Sequence, residues 1–250
     1  MIDLHTHILF GIDDGAKDLE ESLALLDLQI EQGVHTVVLT PHYNPLTQEL
    51  NEFLKIRDEN YIELNNAIKK TSRQIRILKG AEVYYSSKLI EMDLSELVIE
   101  NTDYILIEFP TTTMPSNIKG QLSEIQVMGY IPIVAHFERY DFFRENLQLP
   151  VDLINQGVLM QVNAESVLDK TYSNFIKASA KHNWIHIIGS DTHNLNERIP
   201  NIKSAMSKYD KMSKLGESTR ILNNSKNVVN NEYVNYLGPT YMRKIFGYYF

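Results

Sequence analysis

The first fifteen residues carry a high density of side chains that can bind metal ions. His5 and His7 lie at the end of a predicted strand that begins at Ile2, and Asp13 and Asp14 follow six residues later. Because a strand alternates its side chains across a sheet, His5 and His7 point the same way. Two imidazoles at a strand end are a common beginning of a metal site. The pair alone leaves open the alternative of two solvated histidines.

The same residue types recur at the predicted ends of later strands. Six of seven predicted strands end in His, Asp or Glu, and the sixth strand ends in Asn163. An unpaired carboxylate at the end of a buried strand costs on the order of several kcal/mol, so a metal is the expected partner of Glu82 and Glu108. The remaining histidines, His35, His182 and His186, are predicted to be structural. The strand-end set consists of His5, His7, His42, Glu82, Glu108, His136, Asp191 and His193.

Short β-branched segments alternate with amphipathic helical segments, which predicts βαβ units and a parallel sheet. About seven such units favour a closed or nearly closed barrel, whose active site lies at the carboxyl ends of the strands. A doubly wound open sheet is the alternative, but neither common glycine-rich phosphate loop is present. We predict one barrel domain over residues 1–234 and an aromatic tail over residues 235–250. The predicted strands are Ile2–His5, His35–Thr40, one within Ile75–Tyr84, Tyr104–Phe109, Ile131–His136, Val158–Asn163 and Trp184–Ser190. The predicted helices are Asp18–Gln32, Gln48–Ser72 with one break allowed, a short one within Ser86–Glu100, Asn117–Gly129, Leu147–Gly157, Tyr172–Asn183, and one or two after Ile202.

The composition of the chain excludes several classes of ligand and reaction. The 250 residues carry a net charge of −8 without a basic block, which argues against nucleic-acid binding. The chain has no cysteine, which excludes thiolate ligands and a phosphocysteine intermediate and leaves nitrogen and oxygen ligands for Mn, Fe or Zn. No signal peptide or membrane helix is expected, so the predicted location is the cytoplasm.

Seven segments occur in an order that is specific to one group of proteins. These segments are Asp3-Leu4-His5-Thr6-His7, Asp13-Asp14-Gly15, Thr40-Pro41-His42, Gly80-Ala81-Glu82, Leu106-Ile107-Glu108-Phe109, Ala135-His136-Phe137-Glu138-Arg139-Tyr140 and Ser190-Asp191-Thr192-His193-Asn194. Together they resemble the polymerase-and-histidinol-phosphatase (PHP) superfamily. Within it, the chain is most similar to the bacterial protein-tyrosine phosphatases of capsule and exopolysaccharide synthesis.

The resemblance implies a distorted (β/α)7 barrel that holds up to three divalent ions, with Mn²⁺ expected and Fe or Zn as alternatives. It also implies that Arg139 and Arg198 bind the substrate phosphate. A charge count agrees with three ions, because four ligating carboxylates and a phosphate monoester of about −1.5 to −2 would exceed the charge of two divalent ions. One ion is expected on His5, His7, Glu82 and Asp191. The other two are expected to share Glu82, Glu108, His136, His193 and either Asp14 or His42.

The activity implied by the resemblance is hydrolysis of phosphotyrosine by a metal-activated hydroxide, with the metals and Arg139 stabilising the charge on the equatorial phosphate oxygens. His42 and Asp14 are alternative acids for the leaving group. The implied partner is the phosphotyrosine tail of a membrane-anchored bacterial tyrosine kinase. The sequence does not determine the oligomeric state, and a homo-oligomer is one of the options. Alternatives are a histidinol-phosphate or other small phosphomonoester phosphatase, a PHP exonuclease, and a non-catalytic metalloprotein that binds phosphotyrosine.

Two groups of aromatic residues have an open role at this stage. One group could flank the substrate ring or pack in the core: Tyr43, Tyr84, Phe137 and Tyr140. The other group lies in the tail and is expected to be covered by the barrel, a second subunit or the kinase, because an exposed apolar patch is a liability. It consists of Tyr241, Phe246, Tyr248, Tyr249 and Phe250.

Overall fold

Parallel strands alternate with helices along most of the chain. The computed structural model describes residues 1–213, 216–234 and 237–250. Its parallel strands are β1 (Ile2–Thr6), β2 (Thr36–Leu39), β3 (His42–Tyr43), β4 (Arg76–Lys79), β5 (Glu82–Tyr84), β6 (Tyr104–Glu108), β7 (Ile131–Val134), β8 (Leu159–Asn163) and β9 (Ile187–Gly189). They pair in the orders β1-β2-β4 and β3-β5-β6-β7-β8-β9.

Two of the predicted strands are broken in the structure. Thr40 and Pro41 separate β2 from β3, and Gly80 and Ala81 separate β4 from β5. Proline cannot donate to a strand ladder, and a Cβ at Gly80 would lie 3.1 Å from the Val38 side chain, so the sheet bends here. The prediction that Glu82 ends its strand is therefore wrong, because Glu82 begins β5. The bend places Glu82 directly opposite His42 in the β3–β5 register.

The first and last parallel strands meet and close the barrel. The amide of His7 donates to the carbonyl of Thr192 over 2.8 Å, and the amide of Asp191 donates to the carbonyl of His5 over 2.9 Å. With β2–β3 and β4–β5 each counted as one bent strand, seven strand positions surround the core within the described residues. The predicted distorted (β/α)7 barrel is confirmed.

The outer helices agree with the periodicity, with differences in detail. Asp18 caps the first helix, α1 (Leu19–Glu31), by accepting from the amide of Glu21, and Gly33, at φ +81°, follows its end. The second helix runs for 20 residues without a break. Two five-residue helices, α4 (Asp141–Glu145) and α6 (Ala164–Leu168), are too short to give a periodic pattern and were not predicted. The helices are α1 (Leu19–Glu31), α2 (Leu50–Lys69), α3 (Ile118–Val127), α4 (Asp141–Glu145), α5 (Gln148–Asn155), α6 (Ala164–Leu168), α7 (Ser173–Lys181), α8 (Ile202–Met212) and α9 (Glu217–Val229), and a 3₁₀ turn spans Ser87–Glu91. In the described part of the chain, no helix combines the length and apolar character needed to cross a membrane.

The chain ends in an antiparallel hairpin that the sequence patterns did not predict. Its strands are β10 (Lys244–Ile245) and β11 (Tyr248–Tyr249). Tyr249 is partly buried against the core, but the other four tail aromatics are exposed, so the barrel itself does not cover them. Cover by a second subunit or by the kinase stays a prediction. The predicted tail begins at Asn235, and Asn235 and Tyr236 lie outside the described residues.

Candidate metal centre

Three overlapping groups of His, Asp and Glu side chains lie together at the carboxyl end of the barrel. Within each group, one ligand atom from every residue lies within 4.8 Å of the others. The first group joins β1 to β5 and to the residues after β9, and the second and third groups extend it toward solvent. The groups are His5, His7, Glu82 and Asp191; His7, Asp14, His42 and His193; and His42, Glu82 and Glu108.

The atoms at the middle of this cluster are potential ligands that face one another. Oε2 of Glu82 lies 3.1 Å from Nε2 of both His5 and His7 and 3.2 Å from Nδ1 of His42. Oε2 of Glu82, Oδ1 of Asp191 and Nε2 of His193 are buried, and despite these close contacts none of the three makes a hydrogen bond of acceptable geometry. Buried polar atoms normally have partners, so an arrangement of orphaned ligand atoms around one space fits divalent cations.

The electrostatics of the cluster favour positive charge at its centre. Burial opposes the charging of His7, but Asp13 outweighs burial and raises the pKa of His7 well above its ordinary value. Burial likewise opposes ionisation of Glu82, yet His5 and His136 hold the pKa of Glu82 well below its ordinary value. Burial and the nearby His7 lower the pKa of His193 to about 3, which keeps its imidazole neutral and able to ligate.

Asp13 orients one of the central imidazoles, a role that the sequence did not assign. Its Oδ2 lies 2.7 Å from Nδ1 of His7 and also accepts from the amide of His42 at 2.9 Å. This contact fixes the imidazole so that Nε2 faces the cluster. The sequence analysis assigned only the adjacent Asp14 to the ligand set and gave no role to Asp13.

An amide pair on β8 supports the other side of the cluster. Oε1 of Gln161 lies 3.0 Å from Nδ1 of His5, and the side-chain amide of Asn163 donates to Oδ2 of Asp191 over 2.6 Å. Gln161 also donates to Asn163 over 2.8 Å, so the two amides form one chain of hydrogen bonds. Residues 161 and 163 share one face of β8, and that spacing is the sequence signal that could have found Gln161.

Backbone geometry at the cluster is unusual. His136 and Asp191 have φ values of +30° and +55°, which only a few per cent of non-glycine residues adopt. A Cβ at Gly15 would lie 2.0 Å from the carbonyl oxygen of His7, so the turn after Asp14 requires glycine. Such strain persists where the surrounding structure fixes it, and it concentrates at functional sites.

Two arginines border the cluster on its open side. Nη1 of Arg139 lies 3.4 Å from Oδ2 of Asp191, and Arg198 donates to the same oxygen. Both guanidinium groups also line a cleft of about 350 Å³. Arginine matches two phosphate oxygens at once, so this placement beside the cluster of potential ligands fits a phosphate group.

Comparison with known proteins identifies the family. The family model for capsular polysaccharide synthesis proteins CpsB/CapC matches residues 1–230. The chain belongs to the CpsB/CapC family. The tyrosine-protein phosphatase CpsB of Streptococcus agalactiae serotype V is 31% identical over 245 residues, which cover 94% of this chain and 100% of that protein. The tyrosine-protein phosphatase YwqE of Bacillus subtilis is 34% identical over 204 residues, or 79% of each chain.

A solved structure of this family has the same fold. It comes from work on YwqE from Bacillus subtilis and CpsB from Streptococcus pneumoniae, described as unique metal-dependent tyrosine phosphatases. The TM-score is 0.89 at 29% identity, and the match covers 98% of this chain and 100% of the solved one. The fold implied by the sequence motifs is thus shared with a CpsB/CapC protein over nearly the whole chain.

Some predicted residues of this CpsB/CapC chain lie apart from the three ligand groups. His136 belongs to none of them, although its Nε2 lies 2.8 Å from Oε1 of Glu82. The predicted structural histidines do lie away from the cluster: His186, for example, is buried and accepts from the amide of Met160. The alternative that Tyr43, Phe137 and Tyr140 flank the substrate ring is wrong, because all three are buried in the core. Tyr84 is partly exposed, so its placement beside the substrate ring stays a prediction.

Proposed function

We propose that this chain hydrolyses phosphotyrosine in the tail of a bacterial tyrosine kinase that controls capsule or exopolysaccharide synthesis, and that it does so in the cytoplasm. As a CpsB/CapC protein it is a metal-dependent tyrosine phosphatase. Membership of the family supports the reaction, and the joined cluster of ligands and arginines supports the site. The observation that carries the proposal is the set of orphaned ligand atoms of Glu82, Asp191 and His193 beside two guanidinium groups.

The proposed ligands can hold up to three divalent ions, one for each overlapping group, with Mn²⁺ proposed as the metal. Bound ions would lower the pKa of a water molecule and neutralise charge on the phosphate. His5, His7, Glu82 and Asp191 would form the buried position. The two outer positions would be completed by Asp14, His42, His193 and Glu108. His136 would support them by its hydrogen bond to Glu82.

The chain's own residues bind and orient the substrate in this proposal. Arg139 and Arg198 would exchange their contacts with Asp191 for the non-bridging phosphate oxygens and stabilise charge that develops there. Asp14 and His42 are the more exposed members of their ligand group, so they are the groups able to reach the departing phenolate. A phenol has a pKa near 10, so a proton donor at this position is a modest requirement.

The proposal is tested with p-nitrophenyl phosphate and a phosphotyrosine peptide. Activity should vanish when a chelator removes the metal and return on addition of Mn²⁺. Arg139→Ala should lower kcat/KM by about 10²- to 10³-fold, the typical cost of removing one group that stabilises transition-state charge. Arg73→Ala is the matched control, because Arg73 pairs with Asp27 away from the cluster.

Three results would contradict the proposal. Full activity in protein shown to be free of metal would remove the metal from the mechanism. An unchanged kcat/KM in Arg139→Ala would remove the phosphate role of that arginine. Faster turnover of histidinol phosphate than of phosphotyrosine in a side-by-side assay would favour the small-molecule phosphatase. Single-turnover release of phosphate would exclude the non-catalytic alternative.

A further inference from the structure

The residues after β9 form a closed loop that ends at Arg198. The amide of His193 donates to the carbonyl of Arg198 over 2.9 Å, and the amide of Asn194 lies 3.4 Å from the same oxygen. His193 is a proposed metal ligand, and Arg198 is a proposed phosphate-binding residue. One short loop therefore connects the metal part of the site to its phosphate part.

Asn194 holds this loop through its side chain, although the proposed function gives it no role. Its Oδ1 accepts from the amides of Asn196 over 3.0 Å, Glu197 over 2.8 Å and Arg198 over 3.3 Å. Asparagine side chains commonly accept from amides that follow them in a turn. Residues 194–198 belong to no helix or strand, and Asn196 and Glu197 are exposed. The conformation of the loop therefore depends strongly on this one side-chain oxygen.

Gln32, the residue that follows α1, holds the chain on the other side of Arg198. Its side-chain nitrogen donates to the carbonyl of Pro200, and its side-chain oxygen accepts from the amide of Lys203 over 3.1 Å. Pro200 is buried, and its ring fixes its own φ. The backbone after Arg198 is thus anchored to the barrel, which leaves the loop before Arg198 as the part that Asn194 must order.

The side chain of Arg198 extends from this loop back to the ligand cluster. It donates to Oδ2 of Asp191, and its Nη1 lies 3.9 Å from Oδ2 of Asp14. An arginine side chain has many rotamers, and holding it in one of them costs conformational entropy. A fixed backbone at Arg198 reduces the positions that the guanidinium group can reach, so it keeps this group at the open side of the cluster.

We propose that Asn194 is a positioning residue that keeps Arg198 in place to bind the substrate phosphate. This inference rests on the proposed phosphatase function. Asn194 acts through the backbone of Arg198 and contacts no reacting atom, so its effect falls on phosphate affinity. Metal affinity is separate, because the ring of His193 is oriented by the contact of its Nδ1 with the carbonyl of Asp191 at 2.9 Å.

The test measures the binding of inorganic phosphate to Mn²⁺-loaded protein by calorimetry, which requires no turnover. In Asn194→Ala the dissociation constant of phosphate should rise about five- to tenfold, because a small displacement of an orienting group has a large effect. The affinity for Mn²⁺ should be unchanged. The matched control is Asp93→Ala, which removes the same kind of bond, to the amide of Ser95, on an exposed turn outside the cleft. The control should leave both affinities unchanged.

Further variants separate positioning from a direct contact and from a general loss of structure. Asn194→Asp keeps the accepting oxygen and should bind phosphate nearly as well as the wild-type protein. Asn194→Gln keeps the amide group but holds it one methylene further from the backbone, so it should behave like Asn194→Ala. In an Arg198→Ala background, Asn194→Ala should have no additional effect, because the group that it positions is already absent.

Hydrogen exchange followed by mass spectrometry reports on the loop itself. The amides of residues 196–198 should exchange faster in Asn194→Ala and stay protected in Asn194→Asp. Equal phosphate affinity in Asn194→Ala and the wild-type protein, an additive loss in the double variant, or a matching loss of Mn²⁺ affinity would overturn the inference. If Arg198→Ala binds phosphate normally while Arg139→Ala does not, the phosphate role of Arg198 fails and the inference fails with it, whereas the proposed phosphatase function stands.

Discussion

At the scale of single residues, the cluster depends on side chains that do not themselves reach the proposed ions. Asp13 and Gln161 each contact the Nδ1 atom of a central histidine and leave Nε2 facing inward. An imidazole offers either nitrogen to a metal, and the hydrogen bond made by the other nitrogen selects which one. The two supporting residues thus determine the geometry of His7 and His5, and with it the affinity of the buried position.

Substitution of Asp13 tests this positioning role. Asp13→Asn keeps the size of the side chain but removes the charge that stabilises the Nδ1 proton of His7, so metal affinity should fall by about 10- to 100-fold. Titration of metal-free protein with Mn²⁺, followed by calorimetry, measures the affinity. Excess Mn²⁺ should restore much of the lost activity, which distinguishes positioning from catalysis. Asp93→Asn, on an exposed turn, is the control. Unchanged Mn²⁺ affinity in Asp13→Asn would show that His7 is oriented without it.

At the scale of elements, the sequence predicts the strands that carry the ligands better than it predicts their shape. Alternating apolar segments predicted the barrel, and the polar residues at their ends gave most of the ligands that are proposed here. The bend between β4 and β5 was missed, since Ile75–Tyr84 reads as one strand and the close approach of Gly80 to Val38 is a tertiary contact. Gln161 was missed for a similar reason, because an amide in the middle of a strand becomes a partner of His5 only after β8 and β1 meet across the barrel.

His186 connects three elements, and its burial makes the stability of the barrel depend on pH. Its Nδ1 accepts from the amide of Met160 on β8, and its carbonyl accepts from Asn224 on α9. Burial, together with the charge of Arg220, lowers the pKa of His186 to about 3. The unfolded chain binds a proton at this residue below a pH of about 6.5 while the folded protein does not, so stability is lost as the pH falls from about 6.5 toward 3.

The variant His186→Asn should reduce this pH dependence. Asparagine retains an acceptor for the amide of Met160 but has no proton to take up. Between pH 7.5 and 5.0 the wild-type protein should lose about 2 kcal/mol more stability than the variant, because pH 5.0 lies about 1.5 units below the ordinary pKa of histidine. Urea unfolding of both proteins in the presence of a chelator measures the difference without a contribution from metal release. Parallel stability curves over this range would assign the acid sensitivity to other groups.

At the scale of the whole molecule, the proposed ligands tie together strands that are far apart in the sequence. The buried group takes residues from β1, from the start of β5 and from the segment after β9, which also closes the barrel through Asp191 and His5. The outer groups add β3 and β6. An ion bound to the folded protein has no comparable set of ligands in the unfolded chain, so its binding free energy becomes folding free energy.

Thermal unfolding should therefore depend strongly on the metal. At a free Mn²⁺ concentration of about 100 times Kd, one occupied site adds about 2.7 kcal/mol to the stability of the folded state. For a chain of this size that corresponds to a rise in Tm of roughly 5 to 10 °C. Calorimetric scans with chelator and with increasing Mn²⁺ measure the shift, and KCl of matched ionic strength is the control for screening. Glu82→Gln should respond least to Mn²⁺, because Glu82 belongs to two of the three groups. If Mn²⁺ leaves the Tm of the wild-type protein unchanged, or raises that of Glu82→Gln by the same amount, the ions do not bind where these strands converge.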